Sequence, residues 1–108
     1  MTHYAVGHLR QVDMGPGIVA YLENIDSTLA PFGGHFIVHG GTVESLEGGW
    51  QGDLIVIAFP DRDAAMGWDR SEAYQAILHH RRDNAQGDIF LIDGVDADHK
   101  ATDILNTR

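Results

Sequence analysis

The run Leu54-Ile55-Val56-Ile57-Ala58-Phe59, closed by Asp53 on one side and Pro60 on the other, constrains the fold more than any other stretch of this chain. Six consecutive apolar residues of mostly β-branched and aromatic type read as a short central strand buried on both faces, because a strand with one wet face would alternate with polar residues. Helices of the same chain can cover one face. The alternate set, Leu54, Val56 and Ala58 against Ile55, Ile57 and Phe59, then needs a second cover, and a symmetric second copy is the simplest supply.

The flanking segments supply the remaining elements. Tyr4 to Val12 alternates and is rich in strand formers, so it is the first strand. Between Asp13 and Pro16 stand two helix-start signals, an Asx-type cap and a proline suited to a first turn, after which Ile18, Leu22, Ile25 and Leu29 recur at helical spacing. Pro31 cannot extend that helix, and Gly33-Gly34 provide the turn into a second strand, His35 to His39. Gly40-Gly41 followed by Thr42 to Leu46 reads as a bulged continuation of this strand into a twisted arm, and Glu47 to Gly52 as a loop. After the central run, Asp61 caps a helix through Ala64, Ala65 and Trp68. Ser71 caps a second stretch carrying Tyr74, Ile77, Leu78 and Arg81, which places a break near Asp69-Arg70. Gly87 restarts the chain into a fourth strand, Asp88 to Gly94. The expected plan is β-α-β-β-α-β: an α+β, ferredoxin-like, four-stranded antiparallel sheet with helices on one face, spanning residues 1–94 as one domain. Residues 95–108 form a polar tail, frayed or docked as a short helix through Ile104 and Leu105.

Composition removes several function classes. No cysteine is present among the 108 residues, so disulfides and thiolate chemistry are excluded. A formal net charge of -9 argues against nucleic acid, whose backbone is bound chiefly by Lys and Arg. No apolar stretch reaches bilayer-spanning length and the N-terminus has no secretory pattern, so no membrane association and a cytoplasmic location are expected. Neither phosphate-binding glycine loop is present: Gly15-Pro16-Gly17 and Gly48-Gly49 lack the required Lys-Ser/Thr or strand-to-helix context.

The residues with chemistry to offer are few. On the second strand, period-two alternation groups Phe36 with Val38 and, on the opposite face, His35 with Ile37 and His39, so that if the first pair faces the helices the two imidazoles face the barrel. They lie roughly 13 Å apart at about 3.3 Å per residue, too far to share one metal ion, and no metal or cofactor is expected. His39 is the candidate general base, since imidazole ordinarily titrates near 6.5. His8 and His35 are candidates for substrate binding; the simpler account of all three is that they satisfy backbone groups or sit at a wet rim. Trp50, in a glycine-rich loop, is either an aromatic lid or an anchor in a dimer contact. Arg81 ends the apolar stripe of its helix and is positioned to reach inward to an anion or across to a carboxylate. Phe59, Trp68 and Tyr74 read as core aromatics, Ser71 as a cap, and His79-His80 as a solvated pair.

Tyr21-Leu22, Ala30-Pro31-Phe32-Gly33-Gly34, Gly40-Gly41, Phe59-Pro60, Trp68, Ser71 with Tyr74-Gln75-Ala76, and Arg81 near Ala85 occur in an order and spacing that resembles the domain-of-unknown-function 1330 family, over roughly Tyr4 to Gly94. The resemblance implies the dimeric α+β-barrel superfamily, in which two ferredoxin-like sheets pack into a barrel with a cavity in each subunit. That superfamily includes cofactor-free monooxygenases, small isomerases and decarboxylases, and haem proteins, so it implies a pocket, open to a small organic ligand, and leaves the reaction open. Two positions depart from the family pattern: His39 stands where Arg often precedes the glycines, and His80 where an apolar residue is usual. The expectation is a homodimer that is either a cofactor-independent oxygenase or isomerase, or a non-catalytic ligand-binding or interaction module.

Overall fold

A computed structural model of the chain describes residues 1–106. The elements in order are β1 (His3–Val12), α1 (Pro16–Leu29), a 3₁₀ turn at Ala30–Phe32, β2 (His35–His39), β3 (Asp53–Phe59), α2 (Arg62–Arg70), α3 (Glu72–Arg82), β4 (Ala85–Asp93) and a closing 3₁₀ segment, Ala101–Asn106. The sheet order is β2-β3-β1-β4, with every neighbouring pair antiparallel. This is the ferredoxin-like arrangement anticipated from the element order.

The turn out of α1 forms as its residues dictate. Pro31 stands in the 3₁₀ turn, and Gly33 adopts φ 68°, in the left-handed region that glycine enters without steric cost. Gly34 is held to glycine by space rather than angle, since a Cβ there would sit 2.6 Å from Phe59 Cε1. The two helix starts after β3 also follow local chemistry. Asp61 Oδ1 accepts from the Ala64 amide at 2.8 Å, and Ser71 Oγ accepts from the Tyr74 amide at 3.2 Å while donating to the Trp68 carbonyl at 2.7 Å. These bonds satisfy amides and a carbonyl that helix ends leave without partners.

Three local expectations are corrected. Asp13 is not the cap of α1: Gly15 takes that position with no side-chain bond and Pro16 begins the helix, while the Asp13 amide is bound to the Asn84 carbonyl at 2.7 Å. The arm beyond β2 carries no strand. Gly40 turns the chain at φ 65°, its amide bonds the Leu54 carbonyl, and residues 41–52 run irregular and exposed. β4 begins at Ala85, with Gly87 inside it, because the far end of β1 extends the ladder through Val12↔Ala85 and Gln11↔Gln86. In the tail, Ala101–Asn106 forms the 3₁₀ segment and is exposed; the last two of residues 95–108 lie outside the described residues.

The core sits between one face of the sheet and the helices. Phe59, 1% exposed, meets Trp68 with ring centroids 5.4 Å apart, and Trp68 meets Tyr74 at 4.0 Å. Trp68 Nε1 donates to Thr28 Oγ1 at 2.9 Å, which ties α2 to α1 without leaving a buried donor unpaired. On β3, Ile55, Ile57 and Phe59 face this core together with Ala5, Gly7 and Leu91 of the neighbouring strands. The other face presents Tyr4, Val6, Leu54 and Val56, flanked by Phe90 and Ile92 at 45% and 51% exposure. Burying those two side chains requires a surface beyond the helices of this subunit.

Candidate functional site

A bulge in β2 decides which of its side chains face the helices. His35 pairs with Ala58 and Phe36 with Ile57, but the next partners are Val38 with Val56 and His39 with Ile55, so Ile37 is an extra residue on its strand. One inserted residue shifts the alternation by one. His39 therefore joins Phe36 on the helix side, with the two rings stacked 4.3 Å apart at 12°. This corrects the grouping of His39 with His35 and Ile37, which assumed an unbroken pleat.

The helix side of the sheet does not close completely against α1 and α3. A cavity of about 250 Å³ remains. Its sheet wall is formed by Gly7, Ile55, Ile57, Ile89 and Leu91, and its helix wall by Ile18, Tyr21, Ile25, Tyr74 and Arg81, with Trp68 at one end. Gly7 helps keep it open, since a Cβ there would press on Ile89 Cδ1 at 3.1 Å. Ile89 and His39 line the cavity yet remain exposed, which marks its mouth.

Three of the cavity's polar side chains, Tyr21, Tyr74 and Arg81, converge in one corner. Tyr21 on α1 and Tyr74 on α3 are both buried, and their hydroxyls share a hydrogen bond of 2.9 Å. Burial first, and the Tyr74 hydroxyl second, push the Tyr21 phenol far above its ordinary range, so it is neutral at any physiological pH. Arg81 lies two helical turns beyond Tyr74 on α3 and extends to the same place. Burial pulls its guanidinium down, but Tyr74 and then Tyr21 more than offset this, and it stays fully charged. Among the described residues no carboxylate lies within 4 Å of Arg81; Asp69 also lines the cavity but forms no ion pair with it.

The five residues singled out from the sequence divide between the two faces. His39 and Arg81 line the cavity. His8 lies on the bare face, stacked on Trp50 at 4.4 Å and donating from Nε2 to the Gln51 carbonyl at 2.8 Å, while Trp50 Nε1 donates to the Gly52 carbonyl at 3.1 Å. Together they fasten the loop before β3 to the sheet. His35 is exposed on that same face, opposite Ala58. None of these three reaches the cavity. Tyr21 and Tyr74 are site residues that sequence reasoning misses, since Tyr74 reads there as packing. The available signal is Tyr74 and Arg81 seven apart on one helical face: an arginine that continues an apolar stripe needs a polar neighbour inside. Among the described residues no group of three His, Asp or Glu side chains is placed to hold a metal ion. No helix there is long and apolar enough to cross a membrane.

A four-stranded antiparallel sheet with helices on one face, a mostly apolar cavity beneath them and an open opposite face defines a ferredoxin-like α+β protein. The chain belongs to the family called domain of unknown function DUF1330, whose model matches residues 2–95. Solved structures of the same fold include methylated RPA0582 (14% identity, 91% of this chain and 84% of that chain, TM-score 0.68), a protein of Rhodopseudomonas palustris. A mutant form of SnoaB, a cofactor-independent oxygenase from Streptomyces nogalater, aligns at 13% identity over 92% of this chain and 98% of its own, with TM-score 0.62. A dimeric ferredoxin-like protein of unknown function from Thermobifida fusca aligns at 15% identity over 85% and 88%, with TM-score 0.54. No functionally curated protein matches the chain.

Proposed function

We propose that this protein is a homodimeric, cofactor-independent enzyme that takes a proton from a small organic molecule bound in the helix-side cavity. The observation that carries the reading is the pairing, in one apolar chamber, of an imidazole at the mouth and a guanidinium without a carboxylate partner inside it. Arg81 holds the substrate's negative charge in the low-dielectric interior, and His39 removes the proton from the carbon nearest the mouth. Return of that proton at another carbon is isomerisation; attack of the carbanion on dioxygen forms a C–O bond and, after protonation, a hydroperoxide, which at a carbon still bearing hydrogen loses water to leave a carbonyl, and that is oxygenation. The likeness in fold to SnoaB supports a chemistry of this kind without a cofactor. The bare apolar face supports the dimer, as does the fold shared with a neighbour described as dimeric.

One observation favours a second reading, a non-catalytic binding module: His39 stacks on Phe36, and among the described residues nothing hydrogen-bonds its ring to fix a tautomer. Deuterium exchange into a panel of enolisable aryl-substituted acids in heavy water, followed by proton NMR, separates the two. The enzyme reading expects exchange that the protein accelerates and that His39→Ala slows by about 10²-fold or more. Exchange that is equally fast with His39→Ala removes His39 as the base. Binding of the acids without any exchange leaves the module.

A further inference from the structure

We infer that the Tyr21–Tyr74–Arg81 corner is a receptor for a terminal carboxylate, which makes the ligand of this cavity a compact organic acid with an apolar body of about one ring. The inference rests on the cavity being a ligand pocket, as proposed above, and it names what that pocket selects. It follows from a count of donors and acceptors.

The corner holds two phenol protons and the N–H groups of Arg81, but the only acceptors among these side chains are the two phenol oxygens. The hydrogen bond between the tyrosines uses one phenol proton and one oxygen. Arg81 accepts nothing and only adds donors. Among the described residues no carbonyl or carboxylate accepts from either phenol, whichever of the two donates to the other. One hydroxyl proton, and the guanidinium N–H groups that the phenol oxygens do not take, are therefore left at the cavity without an acceptor. No sealed side-chain N or O among the described residues lacks a hydrogen-bond partner, so these protons are open to an occupant of the cavity, and hydrogen bonds to a charged group are the strong ones.

The group that completes such a corner must accept only. A carboxylate does, with two oxygens and about four lone-pair sites, and it also neutralises Arg81. A primary amide of the same shape brings two more donors and no charge. A phosphate carries further oxygens and charge that the surrounding Ile, Leu and Phe side chains cannot satisfy. The rest of the chamber sets the body of the ligand: Ile18, Ile25, Ile55, Ile57 and Leu91 offer only apolar contact, and Trp68 and Tyr74 offer ring faces. At about 250 Å³ the space falls just below the roughly 300–1,000 Å³ of pockets for drug-sized molecules, which suits a single ring with a short acidic arm.

Benzoate and benzamide test this directly, because they share a shape and differ in charge and in acceptor character; toluene supplies the same body with no polar group. Titration of the full-length protein at pH 7, read by calorimetry and by ligand NMR line broadening, is expected to show benzoate at least tenfold tighter than benzamide. Arg81→Gln is expected to bring benzoate down to the level of benzamide, and Tyr21→Phe and Tyr74→Phe, which keep the rings, to weaken benzoate about threefold or more while leaving toluene unchanged. Benzamide equal to or tighter than benzoate on the unaltered protein overturns the inference without recourse to any variant. Full benzoate affinity in the phenylalanine variants overturns it as well. Toluene binding with no benzoate binding removes the receptor and leaves the pocket; failure of all three probes removes both.

Discussion

Arg81 illustrates how little a single residue's type says about its role. Its place at the end of an apolar helical stripe marks it as reaching inward, but the sequence leaves open whether it meets a bound anion or reaches across to a carboxylate. The structure places it beside two phenols instead. Tyr21 carries a measurable consequence. Its phenol titrates above the ordinary value of 10.0 in the folded state, mainly because it is buried. The neutral form is the one the fold favours, so this contribution to stability is fully present below about pH 10 and declines as pH rises beyond it, by about 1.4 kcal/mol per pH unit. Denaturant unfolding between about pH 9 and pH 11 is expected to show this decline, and Tyr21→Phe to flatten it; equal slopes in the two proteins contradict the assignment. The tyrosine pair escapes notice in the sequence because a buried tyrosine and a buried phenylalanine occupy the same positions in a helical pattern. Only the distance between two hydroxyls on different helices distinguishes them.

At the scale of elements, the readable parts are those governed by neighbours in the chain. The caps at Asp61 and Ser71, the break between α2 and α3, and the glycine turn before β2 all form where local chemistry puts them. Asp61→Ala is expected to cost about 1 kcal/mol, the usual worth of an N-cap, measured by chemical denaturation. Gly34→Ala is expected to cost more, about 1–3 kcal/mol, since the added methyl overlaps Phe59 and Leu29 Cδ2 lies 3.0 Å away on the other side. A cost near zero there means that the Phe59 ring moves freely, contrary to its burial. What the chain does not disclose at this scale is the bulge at Ile37. His35-Phe36-Ile37-Val38-His39 reads as an unbroken pleat, and nothing in five such residues signals an insertion. The extra residue exists relative to β3, so it is a property of the pairing, and it moves His39 from one face of the sheet to the other.

For the whole molecule, the apolar face formed by Tyr4, Val6, Val56, Phe90 and Ile92 is where the proposed dimer closes. Sedimentation at micromolar concentration is expected to show a dimer, and Phe90→Asp to shift it toward monomer, because a carboxylate buried between two sheets loses its hydration without gaining a partner. A monomeric parent protein contradicts the proposal. The amino-acid order by itself determined the succession of strands and helices and the antiparallel plan, because each depends on periodicity and on residues adjacent in the chain. Tertiary structure alone decided that the pocket lies under the helices, that His39 and Arg81 line it while His8, His35 and Trp50 lie elsewhere, and that Tyr21 and Tyr74 meet in its corner. Those outcomes depend on strand register and on distances between residues as far as 53 positions apart in the chain, which no local pattern encodes.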